Sequence, residues 1–229
     1  MSYCNHPIGT LTALALAVFA TMTLHGAVAQ PSSQDAAMLQ AAMHGDVPTL
    51  SRLIAAGASI DPKDGAGRTP LLIAVAGHHS QAAELLIRAG ANINAQAANQ
   101  DTPWLLAGAL GNAQLLRLMV DASPDFSIRN RFGGTALIPA CERAHVEAVK
   151  VLLSTKINLD HINNLGWTCL LEIVVLGNGG ARHVEAAKLV LDAGANPNIA
   201  DKDGVSPLAH ARRQGHHAIA RVLEAAGGR

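Results

Sequence analysis

The sequence predicts an all-α solenoid of about six helix–turn–helix repeats joined by short β-hairpin-like turns. Three observations carry this reading. The openings "TPLLIA" (69–74), "TPWLLA" (102–107), "TALIPA" (135–140), "TCLLEI" (168–173) and "SPLAHA" (206–211) recur at intervals of 33, 33, 33 and 38 residues. Glycines recur in step just ahead of them, at Gly67, Gly133, Gly166 and Gly204. The chain is 49% hydrophobic yet only 3% aromatic, so Ala and Leu supply an apolar mass that suits closely packed helices better than a β-sandwich.

The elements follow in order. Residues 11–24 form an uncharged apolar stretch that ends in "HGAVAQ", with the small residues Ala27 and Ala29 where a signal peptidase reads. This predicts a secretory signal over 1–29, cleaved after Ala29, although no Lys or Arg precedes the apolar stretch. The stretch is shorter than the ~20 apolar residues of a membrane span, so no membrane insertion is expected after cleavage. A short linker over 30–35 leads into the repeats. They are expected near 36–68, 69–101, 102–134, 135–167, 168–205 and 206–229.

One unit explains the rest. Thr69 can cap a helix with its hydroxyl, and Pro70 sits in the first turn, where a missing N–H costs nothing. Leu71 to Val75 then make a short, nearly all-apolar helix, which has to be covered on several sides. "GHHS" (77–80) breaks it. A second helix, "QAAELLIRAG" (81–90), turns its apolar residues inward and stops at Gly90, a position where only glycine takes a left-handed cap cheaply. The surplus of five residues in the fifth unit falls around "LGNGGARH" (176–183), which reads as a flexible loop.

The second-helix endings "LIAAGASID" (53–61), "LLIRAGANIN" (85–94) and "LVLDAGANPN" (189–198), with the turns "DGAGRTP" (64–70), "RFGGTA" (131–136), "NLGWTC" (164–169) and "DKDGVSP" (201–207), resemble the ankyrin repeat in period and in opening. The resemblance covers about 36–229. Some positions depart from it. Leu72, Leu105, Ile138 and Leu171 replace the family's inner histidine, Pro139 falls inside a short helix, and the Gly-Ala ending becomes Ser123-Pro124 and Lys156-Ile157 in the third and fourth units.

Chemistry is not legible. No H-E-x-x-H, paired C-x-x-C, phosphate-binding glycine loop or G-x-S-x-G is present, so no catalytic residue, metal site or cofactor is expected. Lys plus Arg equals Asp plus Glu at 17 each, which argues against nucleic acid as a partner, since that requires a basic face. His79, His145, His183 and His216 take equivalent places, with His78 and His217 beside two of them. Equivalent positions in stacked repeats lie roughly a helix diameter apart, about 10 Å, too far to share one zinc. Their rings are expected to bond backbone at the interhelix turn, and a haem or ligand carrier built on them is the alternative. Met38, Met43 and Trp104 are expected to pack. Cys4 would leave with the signal, whereas Cys141 and Cys169 sit at different depths of their helices and are expected as two separate buried thiols.

The resemblance implies binding of a partner protein along a concave groove lined by turn tips and first helices, centred on the third to fifth repeats. Carried onto this sequence, that face holds Arg68, Asn99, Asp101, Leu110, Arg131, Phe132, Glu142, Arg143, Leu165, Trp167, Val175, Leu176, Lys202, Asp203, Val205 and Arg213. Phe132, Leu165 and Trp167 place large apolar side chains on consecutive turns among arginines, the composition of a binding hot spot. The chain is expected to be monomeric when free and periplasmic or secreted. Two partner classes are implied: a periplasmic enzyme such as a catalase, or a toxic effector that the chain would neutralise as an immunity protein.

Overall fold

The computed structural model describes residues 32–229; the expected signal over 1–29 lies outside them. Twelve helices occur among the described residues, and they fall into six antiparallel pairs. The first of each pair are α1 (Ser33–His44), α3 (Pro70–Ala76), α5 (Pro103–Ala109), α7 (Leu137–Glu142), α9 (Cys169–Val175) and α11 (Pro207–Arg213). The second are α2 (Val47–Ala55), α4 (Ser80–Arg88), α6 (Ala113–Val120), α8 (Val146–Leu153), α10 (Ala181–Asp192) and α12 (His217–Ala225). Odd-numbered helices stack on odd and even on even, so the described residues form two rows of helices with a single continuous apolar core between them. The stack follows from composition. An inner helix such as "PLLIAVA" is buried from Pro70 to Val75 and therefore needs neighbours before, behind and beside it.

Local chemistry sets the helix starts. Thr69, Thr102, Thr168 and Ser206 each accept a hydrogen bond from the backbone N–H three residues on, at 3.1–3.3 Å. The first helix starts at Ser33, inside the segment the sequence assigned to a linker, because Ser32 and Asp35 form a reciprocal capping box. The fourth opening differs. In the other four, the N–H of the residue four on closes the first turn onto the Thr or Ser carbonyl. Here that residue is Pro139, which has no N–H to give. Helix α7 consequently starts late, at Leu137, and Thr135 Oγ1 is buried without a partner.

Between the pairs, the chain forms hairpin tips without assigned strands among the described residues. Four of the five tips are held by an Asx side chain, while the tip ahead of α5 has Ala97 in that place. Asp64, Asn130, Asn163 and Asp201 accept from two backbone N–H groups, two and four residues on. Neighbouring tips join through Ala98 N–H to Ala66 C=O and Asn164 N–H to Phe132 C=O.

Two expectations are corrected. The five surplus residues do not all form a loop. The interhelix turn grows to 176–180, and α10 extends to 12 residues where the other outer helices have 8 or 9. Ala181, Arg182 and His183 are therefore helical. Cys141 and Cys169 are joined in a disulfide, with Cα atoms 5.5 Å apart. Reasoning from depth assumed that neighbouring inner helices lie level. Instead the end of one approaches the start of the next, and the same approach recurs one repeat earlier, where a Cβ on Gly108 would come within 2.6 Å of Ala136 O.

Candidate functional site

The tips ahead of α7 and α9, and those two helices themselves, enclose a groove of about 360 Å³. Ile138 and Pro139 of α7 line it, and the exposed side chains of Phe132, Leu165 and Leu176 form its apolar walls. The walls are unusual for the surface of this molecule. Among the described residues the exposed large hydrophobics are Met43, Phe132, Ile162, Leu165 and Leu176, and three of those five line this one groove. A larger cavity of about 470 Å³ lies in the other row, between α10 and α12. None of the residues lining it is an exposed large hydrophobic, so it lacks what marks a protein-binding surface.

Charged groups surround the walls. The Arg131 guanidinium lies 4.6 Å from the Phe132 ring centroid and 3.7 Å from Asp101. Arg143 donates to the Ala109 carbonyl of the preceding repeat at 3.1 Å. At the bottom sits Glu172, only 4% exposed. Its Oε1 accepts from Asn163 Nδ2 at 2.7 Å, while Oε2 is buried without a partner among the described residues. Burial, and then the neighbouring Glu142 carboxylate, push the Glu172 carboxyl up to about 7; the Asn163 amide opposes them. The carboxylic acid is thus held near the point of half ionisation at neutral pH.

The structure brings together only part of the expected face. Arg131, Phe132, Glu142, Arg143, Leu165 and Leu176 line one groove. Trp167, expected beside them as an exposed aromatic, is half-buried and does not line it, and Leu110 packs against the core. Arg68 is engaged by Asp64 within its own tip, Asn99 bonds Asp101, and Lys202 donates to the Asn164 carbonyl. Val175 and Val205 are half-buried, while Asp203 and Arg213 are exposed. Sequence reading missed Glu172 altogether. The available signal was a carboxylate four residues after Thr168, where the earlier repeats have Ile73, Leu106 and Pro139.

The histidines bridge repeats. His79 Nε2 meets Met43 O at 2.9 Å and His183 Nε2 meets Glu142 O at 3.1 Å. The rings of His79, His145 and His216 lie over Gly45, Gly111 and Gly179, each at positive φ, where a side chain would collide with them. No group of three or more His, Cys, Asp or Glu among the described residues is arranged to hold a metal ion. Trp104 is buried edge-on to Phe126 and Met38 is fully buried, whereas Met43, expected to pack, is largely exposed.

Comparison with known proteins agrees with this architecture. A family model described as "Ankyrin repeats (3 copies)" matches residues 104–201, and one described as "Ankyrin repeats (many copies)" matches 38–87. The ankyrin repeat protein YahD of Escherichia coli K12 is 39% identical over 190 residues, covering 82% of this chain and 94% of YahD. The chain belongs to the ankyrin repeat family. Among solved structures, an ankyrin repeat domain from Acinetobacter baumannii AYE is 44% identical with a TM-score of 0.81, covering 84% of this chain and 98% of that one. The ankyrin repeat protein EF0377 is 35% identical at the same TM-score and the same two coverages. The ankyrin repeat domain of Bcl-3 is 27% identical with a TM-score of 0.73, covering 84% and 86%. Ankyrin repeats generally mediate protein–protein interaction and are typically non-enzymatic.

Proposed function

We propose that this ankyrin repeat chain is an exported, non-enzymatic binding module that grips a partner protein in the groove between the tips ahead of α7 and α9. The observation that carries this reading is the clustering of Phe132, Leu165 and Leu176, three exposed large apolar residues, around one concavity. Surface patches of this kind mark interaction sites on soluble proteins. Export is favoured by the disulfide that joins α7 to α9, because such bonds persist mainly in oxidising compartments. No helix among the described residues is long and apolar enough to cross a membrane.

The family resemblance implies two partner classes: an envelope enzyme such as a catalase, or a toxic effector. Capture from the envelope fraction of the host tests the reading. The wild-type chain is expected to retain a protein that Phe132→Ala/Leu165→Ala loses. Equal retention by both would place the contact elsewhere and overturn the groove assignment.

A further inference from the structure

The groove has a polar floor that its apolar walls do not explain. Glu172 is buried by 96% of its surface, and yet one carboxyl oxygen has no partner among the described residues. A buried acceptor left unmade costs roughly 1–3 kcal/mol. Glu142, on the helix alongside, lines the same groove, and its charge acts on Glu172. The two arginines that line the groove are engaged elsewhere: Arg131 by Asp101 and the Phe132 ring, Arg143 by the Ala109 carbonyl. Two carboxylates and two guanidinium groups therefore line one concavity, and each guanidinium group is engaged by a partner other than the two carboxylates. The next repeat is the internal control. There the tip residue Asp201 accepts from His210 Nε2 at 2.6 Å, across the same tip-to-helix gap that Asn163 and Glu172 span. That site has both its acid and its base, whereas the Glu172 site has only the acid.

We infer that the groove is a socket for a lysine or arginine side chain of the partner protein, its aliphatic stem against Phe132, Leu165 and Leu176 and its cationic head on the free oxygen of Glu172, which is buried until the side chains around it part. The match is one of shape and charge. Basic side chains carry an apolar stem of three or four methylenes behind a charged head, which is the order in which the groove presents wall and floor. The head would satisfy the orphan acceptor and relieve the repulsion between Glu172 and Glu142, so the pair is hydrogen-bonded as well as charge-matched. The socket deepens the proposed function and rests on the groove being the binding face.

Three probes test it on the isotope-labelled chain: n-butylammonium, n-butylguanidinium and the neutral 1-butanol, each titrated while the Asn163 side-chain amide and the Glu172 backbone amide are followed by NMR. The cationic probes are expected to bind at least about tenfold tighter than the alcohol, a difference that is ~1.4 kcal/mol. Glu172→Gln, which keeps the shape and the Asn163 contact, should abolish that difference while the rest of the amide spectrum stays in place. Equal binding of alcohol and ammonium, or a cation preference that survives Glu172→Gln, would overturn the socket. The outcome is separable from the function itself. If partner capture depends on Phe132 and Leu165 but not on Glu172, the groove reading stands and the socket falls. If no capture depends on the groove, the groove reading falls and the probe titration still decides the socket.

Discussion

Replacing Glu172 by Gln should reshape how stability depends on pH. Burial and the Glu142 charge raise the folded-state value of Glu172 from 4.5 to about 7. At pH values below 4.5 the carboxyl is protonated in both folded and unfolded chains. Between 4.5 and about 7 the unfolded chain ionises while the folded chain keeps its proton, so stability falls as pH rises. Above about 7 both forms are ionised and the loss is complete. At roughly 1.4 kcal/mol per pH unit, the total is about 3 kcal/mol. Urea unfolding with the disulfide intact, run from about pH 4 to about pH 8 on both proteins, reads it directly. Wild type and Glu172→Gln should be of similar stability at the acidic end, and the variant should be more stable by about 3 kcal/mol at the alkaline end. His145 contributes in the opposite sense. Burial, then Arg143 and Arg182, hold it below its ordinary 6.5, so its contribution grows with pH. Taking the difference between the two proteins removes that background. Parallel curves would mean that the burden of ionisation does not lie on Glu172.

Other substitutions probe the packing and the surface. Gly108→Ala should destabilise by about 1–3 kcal/mol in urea unfolding, because its Cβ would meet Ala136 O at 2.6 Å, a backbone atom that cannot swing aside. Cys141→Ala/Cys169→Ala should lower stability by about 3 kcal/mol, and the reductant sensitivity of the wild-type melting temperature should vanish with it. Leu86→Ala, at a fully buried position of α4, should cost about 2–5 kcal/mol through the cavity it leaves. Phe132→Ala/Leu165→Ala removes exposed side chains, so each change should alter unfolding by no more than about 0.5 kcal/mol.

What the sequence revealed of the fold was whatever is local and repeated. A hydroxyl, an apolar run and a glycine at fixed spacing specify a cap, a helix and a stop, so Thr69, Thr102 and Thr168 could be placed without neighbours. The exception was legible too, since Pro139 stands four residues after Thr135 and withholds the bond that starts the helix. What stayed hidden depends on how repeats lean on one another. The Cys141–Cys169 bond exists because the end of α7 meets the start of α9, an offset that a one-dimensional register does not contain. The candidate site divides in the same way. Phe132 and Leu165 stood out as large apolar residues in polar turns. Trp167 stood out equally, but its ring is half-buried, and nothing in the sequence separates it from the other two. Glu172 was passed over because a lone carboxylate in a helix usually faces water, whereas here its neighbours close over it.

The proposed function places the partner between the two tips. A photo-crosslinking residue substituted for Leu165, in the groove, and separately for Arg221, beside the cavity between α10 and α12, tests it most directly in the living host. One discrete protein adduct is expected from position 165 and none from position 221. An adduct from 221 alone, or equal adducts from both, would contradict it.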